Sequence, residues 1–227
     1  MRLLAIETCM AACSAAVTGE DGAGQTVALR ELRERGHAEA IMPMVAAAME
    51  RAHCRFQDLE RIAVTVGPGS FSGVRVGVAA ARGLALATGA PLVGLTTLAV
   101  MAKGARRVLG LGEEPLAVAH DARRGQVYFA FFDGKGGALG EIALLAPAAA
   151  ADLLEKGARV AGSGARLLAE ARPGARFRTA LPDLLPDAAD LALMALKARP
   201  VEGPVSPLYL RPPDAKPQTG QAAPRRK

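Results

Sequence analysis

Residues 67–73 read GPGSFSG and lead into a long apolar stretch. A Gly-rich turn at a helix start can cradle an anion, because it offers free backbone N–H groups and the positive end of the helix dipole. The run is neither G-x-x-x-x-G-K-[ST] nor G-x-G-x-x-G, and no lysine stands beside it, so it is a weak phosphate motif. Phe71 occupies the centre of GSFSG, which rules out the G-x-S-x-G nucleophile elbow. Ser70 and Ser72 read as turn and N-cap residues. His120 and Asp121 are adjacent; in a strand they point to opposite faces and do not serve one serine together. The other histidines, His37 and His53, are not spaced as ligands on one helical face, and Cys54 beside His53 is not a chelating pattern. Cys9, Cys13 and Cys54 form neither an even set nor a C-x-x-C pair and read as reduced, small core residues. No catalytic residue and no metal site is expected.

These residues are positioned by a simple element order. LLAIET (3–8), CSAAVT (13–18) and QTVALREL (25–32) read as three strands with short links, an antiparallel meander. Residues 37–51 are helical in composition. RIAVTVG (61–67) is a short apolar run that fits a buried strand. A helix over 72–88, a strand at 91–96 and a helix from Thr97 to about Val108 follow. LGLGEEP (109–115) resembles a linker. LAVAHDA and QVYFAFF then form a second strand pair around RRG, with ALGEIALL as a third strand. Two halves that each begin with a strand meander point to an internal duplication.

The helix over 72–88 has only Arg75 and Arg82 as charges, seven residues apart on one narrow stripe. Gly73, Gly77 and Ala81 recur at i, i+4 and i+8, although glycine inside a helix costs about 1 kcal/mol relative to alanine. Such a row of missing side chains admits another backbone at close range. The preceding helix is apolar from Ile41 to Met49, with three adaptable methionines, Met42, Met44 and Met49. The expectation is a protein–protein face of at least about 800 Å² per partner. It is built from Ile41, Met42, Met44, Val45 and Met49 on one helix and Phe71, Gly73, Val74, Gly77, Val78 and Ala81 on the other.

The chain has 227 residues, 51% of them hydrophobic, and a formal net charge of +6. Arg211, Lys216, Arg225, Arg226 and Lys227 against Asp214 put +4 on residues 211–227 and leave +2 on residues 1–210. A near-neutral body is not a dedicated RNA-binding surface. The Pro-rich polar tail has the composition of a disordered segment. The chain opens without a secretory signal pattern, and its longest apolar stretch, 72–88, is too short and too charged to span a bilayer. A cytoplasmic protein is expected.

LLAIET, CSAAV, RGHAEAIMP, VTVGPGSFSGVRVGVAAARGLALA, PLVGLTTL, DARRGQVYFAFF and PLYLR together resemble the TsaB (YeaZ) family, most densely over residues 1–132. The resemblance implies an α/β fold of actin-like, RNase-H-like type, shared with sugar kinases and heat-shock chaperones. It has two lobes, each a mixed sheet flanked by helices. The expected division is an N-terminal lobe at 1–108, a C-terminal lobe at 109–210 and a basic tail at 211–227. The resemblance also implies a role as the non-catalytic companion of TsaD, which transfers a threonylcarbamoyl group to the adenosine next to the tRNA anticodon. It implies the ATPase TsaE as a further partner of the assembled pair, a homodimer when the subunit is alone, and tRNA contact only through the complex. In both kinds of pair, two helices of each subunit make a four-helix contact. Nucleotide-binding relatives of this fold hold phosphate at the first hairpin turn, with an acid at the end of the first strand. Here that place is ETCMAAC: Glu7 and Thr8 remain, without a glycine, so they form a degenerate nucleotide site. The implied cofactor is none, with ATP bound weakly or not at all. The competing reading is an autonomous enzyme of the same fold, an ATP-dependent phosphotransferase or a glycoprotease-type peptidase.

Overall fold

The computed structural model describes residues 1–18, 26–200 and 203–211. Leu3–Glu7 (β1) and Ala12–Thr18 (β2) are buried at every position. Both therefore lie inside a sheet covered on two sides, which is why they read as continuous apolar runs rather than alternating ones. With Val27–Leu32 (β3), Arg61–Thr65 (β4) and Leu92–Leu95 (β5) they form a five-stranded sheet in the order β3-β2-β1-β4-β5. β1, β2 and β3 are the antiparallel meander; β4 and β5 join in parallel.

The second sheet contains Leu116–Asp121 (β6), Val127–Phe132 (β7), Ala143–Leu145 (β8), Arg159–Ala161 (β9) and Arg178–Ala180 (β10), in the order β10-β9-β6-β7-β8. Here too the first strand is central, the next two form an antiparallel meander, and the last two add in parallel on the other side. The two halves share one topology, which is the structural form of the duplication that the sequence echoes faintly. Two mixed sheets flanked by helices make the two-lobe, actin-like architecture.

Strand alternation decides what each helix covers. Leu4 and Ile6 share a core cluster with Ile41 and Val45 of α1 (His37–Arg51) and Val74 and Val78 of α2 (Phe71–Thr88). Leu3 and Ala5 point the other way, against Leu191, Ala192 and Ala195 of α6 (Ala188–Ala195) and Val100 of α3 (Thr97–Leu109). On the second sheet, α5 (Gly164–Ala171) and α4 (Pro147–Asp152) cover Ala117 and Ala119. α3, expected with the N-terminal lobe, also packs on β6 and β7; α6, expected with the C-terminal lobe, packs on β1 and β2. Each helix thus crosses the boundary at 108/109. Arg107 fastens the pair, with Nε and Nη2 donating to the buried Asp190 carboxylate at 3.0 and 2.9 Å. The tail from residue 212 lies outside the described residues.

Candidate functional site: a plugged hairpin tip and an open helical face

The first hairpin tip, residues 8–11, lies against the start of α2. A Cβ at Gly69 would stand 2.2 Å from the Cys9 carbonyl oxygen, and one at Gly73 would stand 2.1 Å from that of Thr8. A Cβ at Gly77 would meet the Thr8 hydroxyl at 2.5 Å. The glycine row therefore lets α2 lie directly on the tip. Hydrogen bonds seal the contact. Thr8 Oγ1 donates to Gly73 O at 2.7 Å, and Ser70 N donates to Cys9 O at 2.7 Å. Ser70 is the N-cap: its Oγ accepts from Gly73 N at 3.0 Å, so the cap lies two residues before the Ser72 of the sequence reading. His37 Nε2 lies 2.9 Å from Met10 O on the other side of the tip.

Glu7 and Thr8 are fully buried. At the degenerate nucleotide site expected there, the Thr8 hydroxyl is spent on Gly73, and the Glu7 carboxylate is turned into the core. Its oxygens accept from Cys9 N at 2.6 Å and from Thr65 Oγ1 at 2.8 Å. Burial pushes the Glu7 carboxyl from its ordinary value of 4.5 up to about 7, against the lowering pull of the two hydrogen bonds. The three cysteines are buried thiols. Burial raises Cys9, and the Glu7 charge adds to the rise; Cys13 is pushed up to about 11 for the same two reasons.

The raised Glu7 value has a consequence for stability. The folded state holds the proton more tightly than the unfolded chain, so stability falls as pH climbs from about 4.5 to about 7 and levels off above. At about 1.4 kcal/mol per pH unit, the loss is on the order of 3 kcal/mol. Glu7→Gln removes that slope. Urea unfolding of both proteins between about pH 5 and pH 8 measures it; parallel profiles would show that Glu7 does not titrate in this range.

Between the lobes, a cavity of about 280 Å³ opens beside the tip; Cys9, Met10, Gly69, Ser70, His120 and Asp121 are among the residues that line it. Ser163 Oγ lies 3.1 Å from His120 Nδ1 and accepts from Asp121 N at 3.0 Å. Burial holds His120 down to about 4, which makes it a weak base. The Asp121 carboxylate faces Arg123 instead, accepting from its backbone N at 2.7 Å. Among the described residues, no three His, Cys, Asp or Glu side chains are placed to hold a metal ion, and no helix is long and apolar enough to cross a membrane.

The outer side of α1 and α2 is different in character. Leu86 is 88% exposed, Met42 42% and Phe71 40%. Pro43, Ala46, Ala79 and Gly83 are exposed between them. A Cβ at Gly83 would meet nothing within 4 Å. The segment at 203–211 borders this face. Leu208 N donates to Val66 O at 2.7 Å, and the Tyr209 ring lies 5.1 Å from that of Phe71. Arg75 spans them, with Nε donating to Tyr209 Oη at 3.0 Å and its guanidinium 3.9 Å over the Phe71 ring. Arg211 reaches the β6–β7 turn, donating to Gln126 Oε1 at 2.6 Å and Ala122 O at 3.4 Å.

The family model for TsaD, tRNA N6-adenosine threonylcarbamoyltransferase, matches residues 30–187. YeaZ from Pseudomonas aeruginosa superposes with a TM-score of 0.81 at 32% identity, covering 92% of this chain and 99% of that one. The tRNA threonylcarbamoyladenosine biosynthesis protein TsaB of Escherichia coli (strain K12) is 42% identical over 130 residues, 57% of this chain and 54% of that protein. The chain belongs to the TsaB (YeaZ) family. TsaB of Bacillus subtilis (strain 168) is 33% identical over 144 residues, 63% of this chain and 59% of that protein. The chain thus spans little more than half the length of the curated TsaB relatives it matches.

For this TsaB-family chain, the docking residues expected from sequence need correction. Ile41, Val45, Met49, Gly73, Val74, Gly77, Val78 and Ala81 are all buried within the chain itself. They pack on the first sheet and the hairpin tip, so they hold the two helices in place and are closed to a partner. Met42, Met44 and Phe71 keep some exposure. The exposed residues on this side that the sequence reading did not name are Pro43, Ala46, Ala79, Gly83, Leu86 and Tyr209. A signal for most of the α2 members was present: Arg75 and Arg82 mark the solvent side, and Ala79 and Leu86 fall on the same stripe.

Proposed function

We propose that this chain is a non-catalytic scaffold and activator subunit that pairs with a TsaD catalytic subunit for threonylcarbamoyl transfer to the adenosine next to the tRNA anticodon. The observation that carries this reading is the plugged hairpin tip. Where a nucleotide-binding protein of this fold presents free groups to phosphate, Cys9 N is spent on Glu7, the Thr8 hydroxyl is spent on Gly73, and α2 lies against one side of the tip. ATP is then bound weakly or not at all, and the contribution to the reaction comes through assembly.

The curated names of the TsaB relatives, tRNA threonylcarbamoyladenosine biosynthesis protein, support the pathway. The docking face is the exposed strip of α1 and α2 with Tyr209 at its edge. It serves TsaD in the complex and a second copy of the chain when TsaD is absent; TsaE joins the assembled pair in the cytoplasm. The deciding experiment is reconstitution of tRNA modification with the purified subunits. Omitting this chain is expected to abolish the modification, and adding it back without TsaD is expected to give none. Turnover by this chain alone would instead make it the enzyme.

A further inference from the structure

We propose that a basic cavity on the opposite side of the molecule from α1 and α2 receives an RNA phosphodiester backbone. The cavity, about 340 Å³, lies between the C-terminal half of α3 and the loop at 133–137. Lys103, Arg106, Arg107 and Lys135 line it, and no carboxylate is among its lining residues. Three of the acids nearby have partners of their own, Asp190 offsetting the charge of the lining Arg107, and Glu113 is exposed next to Gly112. Asp190 is paired with Arg107. Asp133 accepts from the backbone N–H groups of Lys135 and Gly137, both at 2.8 Å. Glu114 reaches Arg159.

Arg106 makes the floor rigid. Its guanidinium donates to the carbonyls of Gly112, Glu114, Asp133 and Gly134, tying the α3–β6 link to the 133–137 loop. Lys103 and Lys135 are exposed above it and supply mobile ammonium groups. The rest of the lining is glycine, alanine, leucine and methionine. With no aromatic ring to stack a base, the cavity recognises charge rather than sequence, which is what a backbone contact requires.

Strand alternation places it well. α1 and α2 cover the Leu4 and Ile6 face of β1, whereas α6, whose Met194 lines the cavity, lies on the Leu3 and Ala5 face with Val100 of α3. A partner on the docking face leaves the cavity open. The body of the chain is near neutral, so such a site is weak alone and gains its effect beside the partner's own RNA contacts.

The inference rests on the tRNA-modification reading and is tested in the assembled complex with TsaD, using tRNA as the probe. Affinity is measured by anisotropy from about 50 to 200 mM salt, the range over which phosphate contacts weaken steeply. Lys103→Glu/Lys135→Glu is expected to lower tRNA affinity at least about tenfold and to flatten the log–log salt slope by about 1 to 2. Complex assembly and thermal stability should be unchanged. Lys156→Glu/Arg166→Glu makes the same change of charge elsewhere and should leave affinity near wild type. Unaltered affinity and slope in the first variant overturn the inference, as does an equal loss in the second, which would mean that net charge alone matters. A wild-type complex without affinity for tRNA overturns it as well. If the first variant loses affinity while the wild-type complex modifies no tRNA, the cavity stands and the functional reading falls.

Discussion

Gly73→Ala is expected to destabilise the chain by about 3 kcal/mol, although alanine is the better helix former. The added Cβ would stand 2.1 Å from the Thr8 carbonyl and 2.5 Å from the Ser70 hydroxyl. A backbone carbonyl cannot swing away as a flexible side chain does. α2 must therefore lift off the hairpin tip, which strains or breaks Thr8 Oγ1→Gly73 O and Ser70 N→Cys9 O. Overpacking costs about 1–3 kcal/mol and each buried hydrogen bond about 1 kcal/mol more. The helix-propensity gain of at most about 1 kcal/mol does not offset this. At about 2–4 °C per kcal/mol, the melting point falls by roughly 10 °C. Gly77→Leu, whose Cβ meets the Thr8 hydroxyl, fails in the same way: it damages folding rather than association alone. Gly83→Ala, in the same helix with open space at its Cβ, gains stability by up to about 1 kcal/mol. Thermal and urea unfolding of the three variants tests this contrast. A Gly73→Ala protein as stable as wild type would show that the helix does not rest on the tip.

The second large effect falls on assembly. Gly83→Leu and Ala79→Arg are expected to fold as well as wild type and to lose partner affinity by at least about 100-fold. Both positions face outward on α2, between Arg75, Arg82 and the exposed Leu86. A leucine at 83 keeps another helix from close approach, and an arginine at 79 buries an unpaired charge in an apolar contact, a change worth several kcal/mol at an interface. Size-exclusion mass and calorimetric titration against TsaD give the readout, with Lys156→Glu as a surface control. Unchanged affinity in both variants would move the docking face elsewhere on the molecule.

The glycines show how far composition could be read. That α2 carries an unusual number of small residues was plain from sequence, and so was the inference that something approaches it closely. What approaches was open. Periodicity names the residues on one side of a helix, and two neighbours can each claim that side. For Gly73 and Gly77 the neighbour is the chain's own hairpin tip, sixty-five or more residues earlier; a Cβ at Gly83 would meet nothing in the chain within 4 Å. The helix is apolar nearly all round, so hydrophobicity could not say which side faces the sheet. The two arginines could, because a charge is left in water when it has no buried partner.

The strand runs, the meander at the start of each half, α1 to α3 and the family were all legible along the chain, because local alternation, turn residues and a long specific motif encode them. Tertiary contacts decided the rest. Glu7 became a buried, proton-linked group because β1 is covered on both faces. α3 and α6 crossed between the lobes because Gly104 leaves room for the Asp190 that Arg107 holds. Tyr209 joined the face of α2 across more than a hundred residues of chain. Each of these depends on which surfaces meet after the chain has turned back on itself, and sequence spacing does not contain that information.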